Sequence, residues 1–160
     1  MGFKHISSGM DAHDALIGGE SSGGLTVRGH ISGKDGLYAA SLLVEMISVT
    51  RKPLSALLRE LTDQFGALYM AEYDWAMTER RKQEIQKILM EDRMLPDFGV
   101  PVERISYLDG CKVYFEEGWI IARFSGTEPR IRIFAEMPTR ARARCLVRTM
   151  AAFLDLEFHD

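Results

Sequence analysis

Apolar residues alternate with polar or aromatic ones over residues 111–116 and again over residues 130–135, and this pattern constrains the fold more than any other feature of the chain. Such alternation predicts strands with one buried and one exposed face. The predicted strands cover residues 111–115, 119–123 and 130–135, with a hairpin turn at Glu117-Gly118 and a fourth strand near 105–107. Consecutive strands of this kind favour an antiparallel sheet.

Two helices flank these strands in the sequence. Thr78 is a suitable N-cap for a helix that extends to residue 91. A second helix over residues 139–154 carries an apolar face made of Leu146, Met150, Phe153 and Leu154. Strands followed by a covering helix predict an α+β domain whose antiparallel sheet is flanked by helices.

The first part of the chain follows a different pattern. A short apolar run at residues 15–17 predicts a buried strand, which stops at the glycine-rich loop 18–24. After a second glycine-bearing stretch, Asp35 is the predicted N-cap of a helix over residues 37–49. This helix is apolar nearly all round, which predicts burial between layers. Pro53 opens a further helix over residues 54–65, and Gly66 closes it.

Composition limits the classes of protein to which the chain can belong. The 160 residues are 46% hydrophobic and 27% charged, which suits one large or two small globular domains. We predict domains at residues 1–68 and 69–160. The net charge of -3 gives no overall attraction to nucleic acid or to an anionic membrane. Two distant cysteines without CxxC spacing predict reduced thiols in a cytoplasmic protein.

The segment between two predicted strands, residues 123–129, has the residue types of a phosphate-binding loop. Arg123 offers a planar fork of donors that can bind two phosphate oxygens at once. Ser125 and Thr127 add hydroxyl donors, and Gly126 lets the backbone approach an anion closely. From residue types alone, a plain surface turn remains the alternative.

This segment, Arg-Phe-Ser-Gly-Thr-Glu-Pro followed by an arginine-containing strand, resembles the phosphate-binding loop of the alpha-D-phosphohexomutases, the phosphoglucomutase/phosphomannomutase family. The resemblance implies that Arg123, Ser125, Gly126, Thr127 and Arg132 bind phosphate. It also implies a partial α/β/α domain, domain 3 of the family, followed by the α+β domain 4.

A second motif strengthens the resemblance. Gly19-Glu20-Ser21-Ser22-Gly23 resembles the sugar-recognition loop of the family, although Ser21 stands where Glu, Met or Gln is more usual. The resemblance implies that Glu20 and Ser22 contact the sugar ring, since a carboxylate can accept hydrogen bonds from two neighbouring hydroxyls. The alternative is a flexible turn with a solvated Glu20.

A third segment, His30 to Gly36, resembles the stretch that follows the sugar loop in family members. The resemblance implies that Lys34 and His30 lie in the catalytic cleft, where each can steady charge or carry a proton. A solvated lysine and a turn histidine are the alternative. Lys4 lies in a segment that resembles another cleft-facing lysine of the family, on weaker grounds.

The family transfers a phosphate between the C1 and C6 oxygens of a hexose through a phosphoserine and a hexose 1,6-bisphosphate, with Mg²⁺ held by aspartates. The serine string Ser-His-Asn-Pro and the metal string Asp-Gly-Asp-Gly-Asp-Arg do not occur in these 160 residues. The chain is therefore expected to supply no metal ligands, to be inactive alone, and to work with the N-terminal domains of a parent enzyme. A stand-alone phosphosugar-binding module without catalysis is the alternative.

The last predicted helix carries a basic patch. Arg140, Arg144 and Arg148 share one face, which is compatible with nucleic-acid binding or with the solvated face of an amphipathic helix. Interleaved aromatic residues and net positive charge are both missing, so we expect no nucleic-acid partner. The sequence leaves the preferred hexose and the oligomeric state open.

Overall fold

The structure is a computed structural model that describes residues 3–20 and 22–158. The chain forms two compact units, Met1–Leu61 and Thr62–Asp160. The predicted domain boundary after residue 68 stays a prediction. Ser21, where the sugar loop departs from the usual family sequence, lies outside the described residues.

The first unit consists of helices around a small two-stranded sheet. Its elements are α1 (Phe3–His13), β1 (Ile17–Gly19), β2 (Leu25–Val27), α2 (Gly36–Thr50) and α3 (Leu54–Phe65), of which α3 extends past Leu61. Strands β1 and β2 pair in antiparallel fashion, with Gly19 opposite Leu25. The glycine-rich loop therefore forms the connection of a β-hairpin.

Both predicted helix starts and ends in this region are confirmed closely. Asp35 caps α2, since its side chain accepts hydrogen bonds from the backbone N–H groups of Leu37 and Tyr38. Helix α3 has the predicted bounds, and Gly66 follows it with φ +85° while its N–H donates to the Thr62 carbonyl. A left-handed residue just after a helix favours glycine, which explains the stop.

Two predictions of burial are wrong. Helix α2 contains no buried residue, and Leu37 is 86% exposed. The predicted buried strand exists as β1, but Ile17 is 57% exposed. Helix α2 stays exposed because the apolar surface of its neighbours is small. Two strands of three residues each cannot cover a helix of 15 residues on more than one side.

The second unit is built on a five-stranded antiparallel sheet, which confirms the α+β prediction. Its strands are β3 (Tyr69–Ala76), β4 (Arg104–Ser106), β5 (Cys111–Phe115), β6 (Gly118–Phe124) and β7 (Arg130–Met137), in the spatial order β3-β7-β6-β5-β4. Strand β3 was not among the four predicted strands, although Ala71, Tyr73 and Trp75 alternate there with acidic residues. It pairs with β7 along its whole length.

Two helical segments cover the sheet. Helix α4 (Glu79–Gln86) is capped by Thr78 and continues as a π-helical turn (Lys87–Glu91), and α5 (Arg140–Phe153) is capped by Thr139. Their apolar faces pack on the inward-facing residues of the strands. The fully buried side chains of this core include Ile85, Leu89, Val113, Ile120, Ile131, Ile133, Val147 and Met150. In the described residues, no helix has the length and apolar character needed to cross a membrane.

The predicted hairpin turn lies one residue earlier than expected. Glu116 and Glu117 form the turn, and Gly118 is the first residue of β6. A Cβ on Gly118 would overlap the backbone carbonyl of Glu136 on β7. Glycine is needed here because two backbones approach each other closely, and the chain reversal itself does not require it.

The two cysteines are expected to differ sharply in reactivity. Cys111 is fully buried in β5, and burial raises the pKa of its thiol to about 11, whereas Cys145 on α5 is exposed. Because the thiolate is the reactive form, only Cys145 should react rapidly with a thiol reagent in the folded chain. Counting fast-reacting thiols at pH 8, with and without urea, measures this. One fast thiol in the native Cys145→Ser variant, or two in the native parent, would contradict the buried position of Cys111.

Candidate functional site

The loop between β1 and β2 is closed by its own backbone. The Glu20 N–H donates to the Gly24 carbonyl at 2.8 Å, and the Gly23 N–H donates to the Glu20 carbonyl at 2.9 Å. Gly23 has φ +87°, a conformation that L side chains rarely adopt. These bonds hold the Glu20 backbone in one position at the tip of the hairpin.

Three of the predicted sugar-loop and cleft residues meet at this tip. The Lys34 Nζ lies 3.1 Å from the Glu20 Oε2, and the Ser22 hydroxyl donates to the same oxygen at 3.4 Å. The Glu20 side chain is 18% exposed and that of Lys34 is 57% exposed. Gly24 leaves room for the pair, because a Cβ there would lie 2.8 Å from the Lys34 Cδ. The cluster combines one carboxylate, one ammonium and one hydroxyl, which together can hold several hydroxyl groups of a ligand.

His30 has different partners from Lys34. Its Nε2 lies 3.0 Å from the Asp35 Oδ2, and its ring stacks on Tyr38 with the centroids 4.0 Å apart. The turn that carries it is fixed by the nearly buried Thr26, whose hydroxyl donates to the Ile31 carbonyl at 2.7 Å. The Ser7 hydroxyl of α1 donates to the Ser32 carbonyl at 3.0 Å.

A cavity of about 230 Å³ opens beside this turn. Its walls come from α1 and the two residues after it, and from β2 and the turn that follows β2, and His30 is one of the lining residues. Charged groups on the wall include Asp11, Asp14 and Arg28, of which Arg28 pairs with Asp14 at 2.5 Å. Lys4 is part of α1 but does not line this cavity.

In the second unit, the predicted phosphate loop connects β6 to β7. The Ser125 N–H donates to the Arg130 carbonyl at 3.0 Å and closes the loop at its base. The Ser125 Oγ accepts from the N–H groups of Thr127 and Glu128 at 3.4 and 3.3 Å, and lies 3.5 Å from the Thr127 hydroxyl oxygen. Nothing lies within 4 Å of the position a Cβ would take on Gly126, so its backbone faces open space.

Arg123 belongs to strand β6, next to the loop. Its Nε lies 3.0 Å from the Asp109 Oδ2, but the N–H is not aligned with that oxygen. The Nε atom is therefore buried without a hydrogen-bond partner in the described residues. Gly110, with φ +103°, brings the Asp109 turn against the Arg123 backbone, where any Cβ would overlap the Ala122 carbonyl.

Arg132 lies opposite Arg123 across the β6–β7 pair. It shares the carboxylate of Asp74 on β3 with Arg130: Arg130 Nε donates to it at 3.0 Å and Arg132 Nε at 3.2 Å. Burial raises the pKa of Asp74, but the hydrogen bonds from Arg130 and Arg132 outweigh this and hold the pKa below its ordinary value. One carboxylate therefore faces two guanidinium groups, which leaves positive charge near the loop.

Comparison with known proteins decides the family. Residues 71–153 match the model described as the phosphoglucomutase/phosphomannomutase C-terminal domain, and residues 1–65 match its alpha/beta/alpha domain III. The chain belongs to the phosphoglucomutase/phosphomannomutase family. The first-unit match covers the motifs at residues 19–23 and 30–36, and the C-terminal match covers the motif at residues 123–129.

Individual relatives agree with this assignment. The chain is 33% identical over 134 residues to a phosphoglucomutase/phosphomannomutase of Thermococcus kodakarensis, covering 82% of the chain and 27% of the relative. It is 29% identical over 144 residues to the phosphoglucosamine mutase of Bacillus mycoides, covering 88% of the chain and 27% of the relative. The chain thus spans under a third of the length of these relatives.

Solved structures of the family share the fold. A protein of Thermus thermophilus assigned as a phosphomannomutase superposes with a TM-score of 0.71 at 28% identity, over 97% of this chain and 30% of that one. A phosphoglucomutase/phosphomannomutase family protein of Burkholderia thailandensis superposes with a TM-score of 0.66 at 20% identity, over 97% and 31% of the two chains.

The Mg²⁺ of the family has no fitting site in the described residues. Within residues 3–20 and 22–158, no group of three His, Cys, Asp or Glu side chains is placed to hold a metal ion. Asp11 and Asp14 line the first-unit cavity, but Asp14 is occupied by Arg28. These residues do not suit the metal.

Several residues of the two sites were not among the predicted site residues. Asp74 and Arg130 form the charged network with Arg132, and Asp109 lies beside Arg123. The alternation in β3 could have revealed Asp74, since pairing that strand with β7 places it opposite Arg132. Asp35 was predicted as a helix cap only, and nothing in the sequence indicated that its second oxygen faces His30.

Proposed function

We propose that this chain supplies sugar and phosphate recognition to a phosphohexomutase that interconverts hexose 1-phosphate and hexose 6-phosphate. The observation that carries the proposal is the clustering of Glu20, Ser22 and Lys34 at the tip of the β1–β2 hairpin. A mere surface turn does not require a part-buried carboxylate held by a backbone-closed loop.

In this proposal, Glu20 accepts hydrogen bonds from two neighbouring sugar hydroxyls. Its Oε2 now accepts from Lys34 and Ser22. A carboxylate has about four lone-pair sites, so its other oxygen remains available to a ligand. Lys34 neutralises the carboxylate and can also approach an anionic ligand, which makes it the second polar contact of the sugar site.

Phosphate recognition is assigned to the β6–β7 loop with Arg123, Ser125, Gly126, Thr127 and Arg132. The Arg123 Nε is buried 3.0 Å from the Asp109 carboxylate, whereas the side chain as a whole is 30% exposed. The proposal therefore assigns the phosphate contact to the terminal N–H groups of the guanidinium. Arg132 contributes mainly through charge, because its Nε is already bonded to Asp74.

Catalysis in the proposal depends on groups outside this chain. The phosphoserine and the Mg²⁺ ligands belong to the N-terminal domains of the parent enzyme, and hexose 1,6-bisphosphate is the intermediate. The cytoplasmic location also stays a prediction. The purified chain alone should not convert glucose 1-phosphate to glucose 6-phosphate. Such conversion, in a preparation free of contaminating mutase, would contradict the assignment of catalysis to the N-terminal domains.

The Glu20→Gln variant tests the sugar site. An amide keeps the shape of the side chain but replaces one acceptor oxygen with a donor, so two sugar hydroxyls can no longer both donate to it. Discrimination should fall: the ratio of affinities for glucose 1-phosphate and mannose 1-phosphate should move several-fold toward one, consistent with about 1 kcal/mol per hydrogen bond. Affinity for inorganic phosphate should not change.

Isothermal titration of the full chain with each ligand measures these affinities. Glu45→Gln, at an exposed position of α2, is the matched control because it makes the same chemical change away from the loop. An unchanged ratio in Glu20→Gln would show that Glu20 is a solvated turn residue.

A further inference from the structure

His30 is held on two sides by the first turn of α2. Its Nε2 lies 3.0 Å from the Asp35 Oδ2, and the Tyr38 ring stacks on it with an angle of 18° between the ring planes. The backbone N–H of His30 donates to the Val27 carbonyl at 3.1 Å. Both the backbone and the ring of this histidine therefore have defined positions.

Asp35 divides its two carboxylate oxygens between two tasks. Oδ1 accepts from the N–H groups of Leu37 and Tyr38, both at 3.0 Å, and so caps the helix. Oδ2 faces the imidazole. The hydrogen bond from the Tyr38 backbone, followed by that from His30, holds the pKa of Asp35 below its ordinary value. The carboxylate is therefore ionised at neutral pH and can only accept hydrogen bonds.

This arrangement dictates which ring nitrogen carries the proton in neutral His30. Opposite an acceptor, Nε2 must be the protonated nitrogen, and Nδ1 then has the lone pair. The described residues give Nδ1 no hydrogen-bond partner, and His30 lines the 230 Å³ cavity.

We propose that Asp35 and Tyr38 are positioning residues that hold neutral His30 as the Nε2–H tautomer, so that Nδ1 is the nitrogen that accepts a proton or hydrogen bond from a ligand hydroxyl. The proposal deepens the proposed function and rests on it for the identity of the ligand, a phosphosugar. The other charged groups on the cavity wall are Asp11, Asp14 and Arg28.

The tautomer can be measured without any ligand. Two-bond ¹⁵N–¹H correlation spectra of the ¹⁵N-labelled full chain at pH 8.5, about two units above the ordinary pKa of histidine, distinguish the protonated from the bare ring nitrogen. The His30→Gln variant assigns the signals among the four histidines. His30 should show a protonated Nε2 and a bare Nδ1.

The Asp35→Asn variant gives the sharpest test. Asparagine is as good an N-cap as aspartate, so its amide oxygen should keep the cap on α2. Its NH₂ group then faces His30 and donates to Nε2, which should move the proton to Nδ1. Circular dichroism checks that the helix content is unchanged. A protonated Nδ1 in the parent chain, or the same tautomer in both proteins, would overturn the proposal.

Tyr38 has its own pair of variants. Tyr38→Phe keeps the stacked ring and should keep the tautomer. Tyr38→Ala removes the stack, so the ring can turn away from Asp35, and a mixture of tautomers should result. Addition of glucose 1-phosphate tests the positioning of His30 separately from its role in phosphosugar binding. If the tautomers behave as expected and the His30 signals shift with the sugar phosphate, both claims are supported. If the His30 signals do not respond, the positioning is supported and the role of His30 in phosphosugar binding is refuted.

Discussion

Gly118→Ala is expected to lower the free energy of unfolding of the second unit by at least about 3 kcal/mol, near the upper end of the cost of overpacking. The added Cβ would overlap the Glu136 carbonyl oxygen and approach the Met137 sulfur to 2.7 Å. A flexible side chain could move away, but the carbonyl belongs to the β6–β7 pair and cannot move without distorting the strands.

Urea unfolding followed by tryptophan fluorescence measures this loss. Both tryptophans, Trp75 and Trp119, belong to the second unit, so the signal reports on that unit. Gly126→Ala is the matched control, because its Cβ would meet nothing within 4 Å. It should change stability by no more than about 0.5 kcal/mol. Equal unfolding midpoints for the two variants would show that the strands are not packed as described.

Arg123→Ala is expected to weaken the binding of phosphate esters by about 10- to 100-fold. Hydrogen bonds to charged groups contribute on the order of 1.5–3 kcal/mol each, and 1.4 kcal/mol corresponds to a factor of ten. Arg123→Lys keeps the charge but loses the planar fork, so its loss should be intermediate. Isothermal titration of the full chain with glucose 1-phosphate measures both.

Two controls separate binding from folding and from net charge. Arg80→Ala removes the same charge from α4, where the side chain is 89% exposed, and should leave the affinity nearly unchanged. The urea midpoint of each variant reports on stability, because Arg123 lies in β6 and its Nε is buried. A folded Arg123→Ala chain that binds as tightly as its parent would refute the assignment of Arg123 to the phosphate site.

The sheet and the helix ends were predictable because their signals are local. Alternation over residues 111–116 and 130–135 reports on which side of a strand is buried, and this holds for β5 and β7. Capping side chains act within three residues of the helix start, so Asp35 and Thr78 could be identified from the sequence. The position of Gly118 was predicted less well, because a glycine in a turn and a glycine under a neighbouring backbone look the same in a sequence.

Exposure and charge pairing could not be predicted because they depend on tertiary contacts. The apolar character of α2 indicates that the helix can be buried, but not whether the described chain supplies a covering layer. The partners of the site residues are distant in sequence: Arg132 bonds Asp74, 58 positions away. The sequence motifs pointed to the residues that cluster at the proposed sugar loop. The contact of Asp35 with His30 could not be read from the sequence, because it depends on the three-dimensional structure.

A backbone NMR titration of the ¹⁵N-labelled chain tests the central claim most directly. Glucose 1-phosphate should shift the amide signals of residues 19–24 and those of residues 125–128. Inorganic phosphate should shift only residues 125–128, because it has no sugar hydroxyls for Glu20. Equal responses of both loops to inorganic phosphate, or no response of either loop to glucose 1-phosphate at millimolar concentration, would contradict the account.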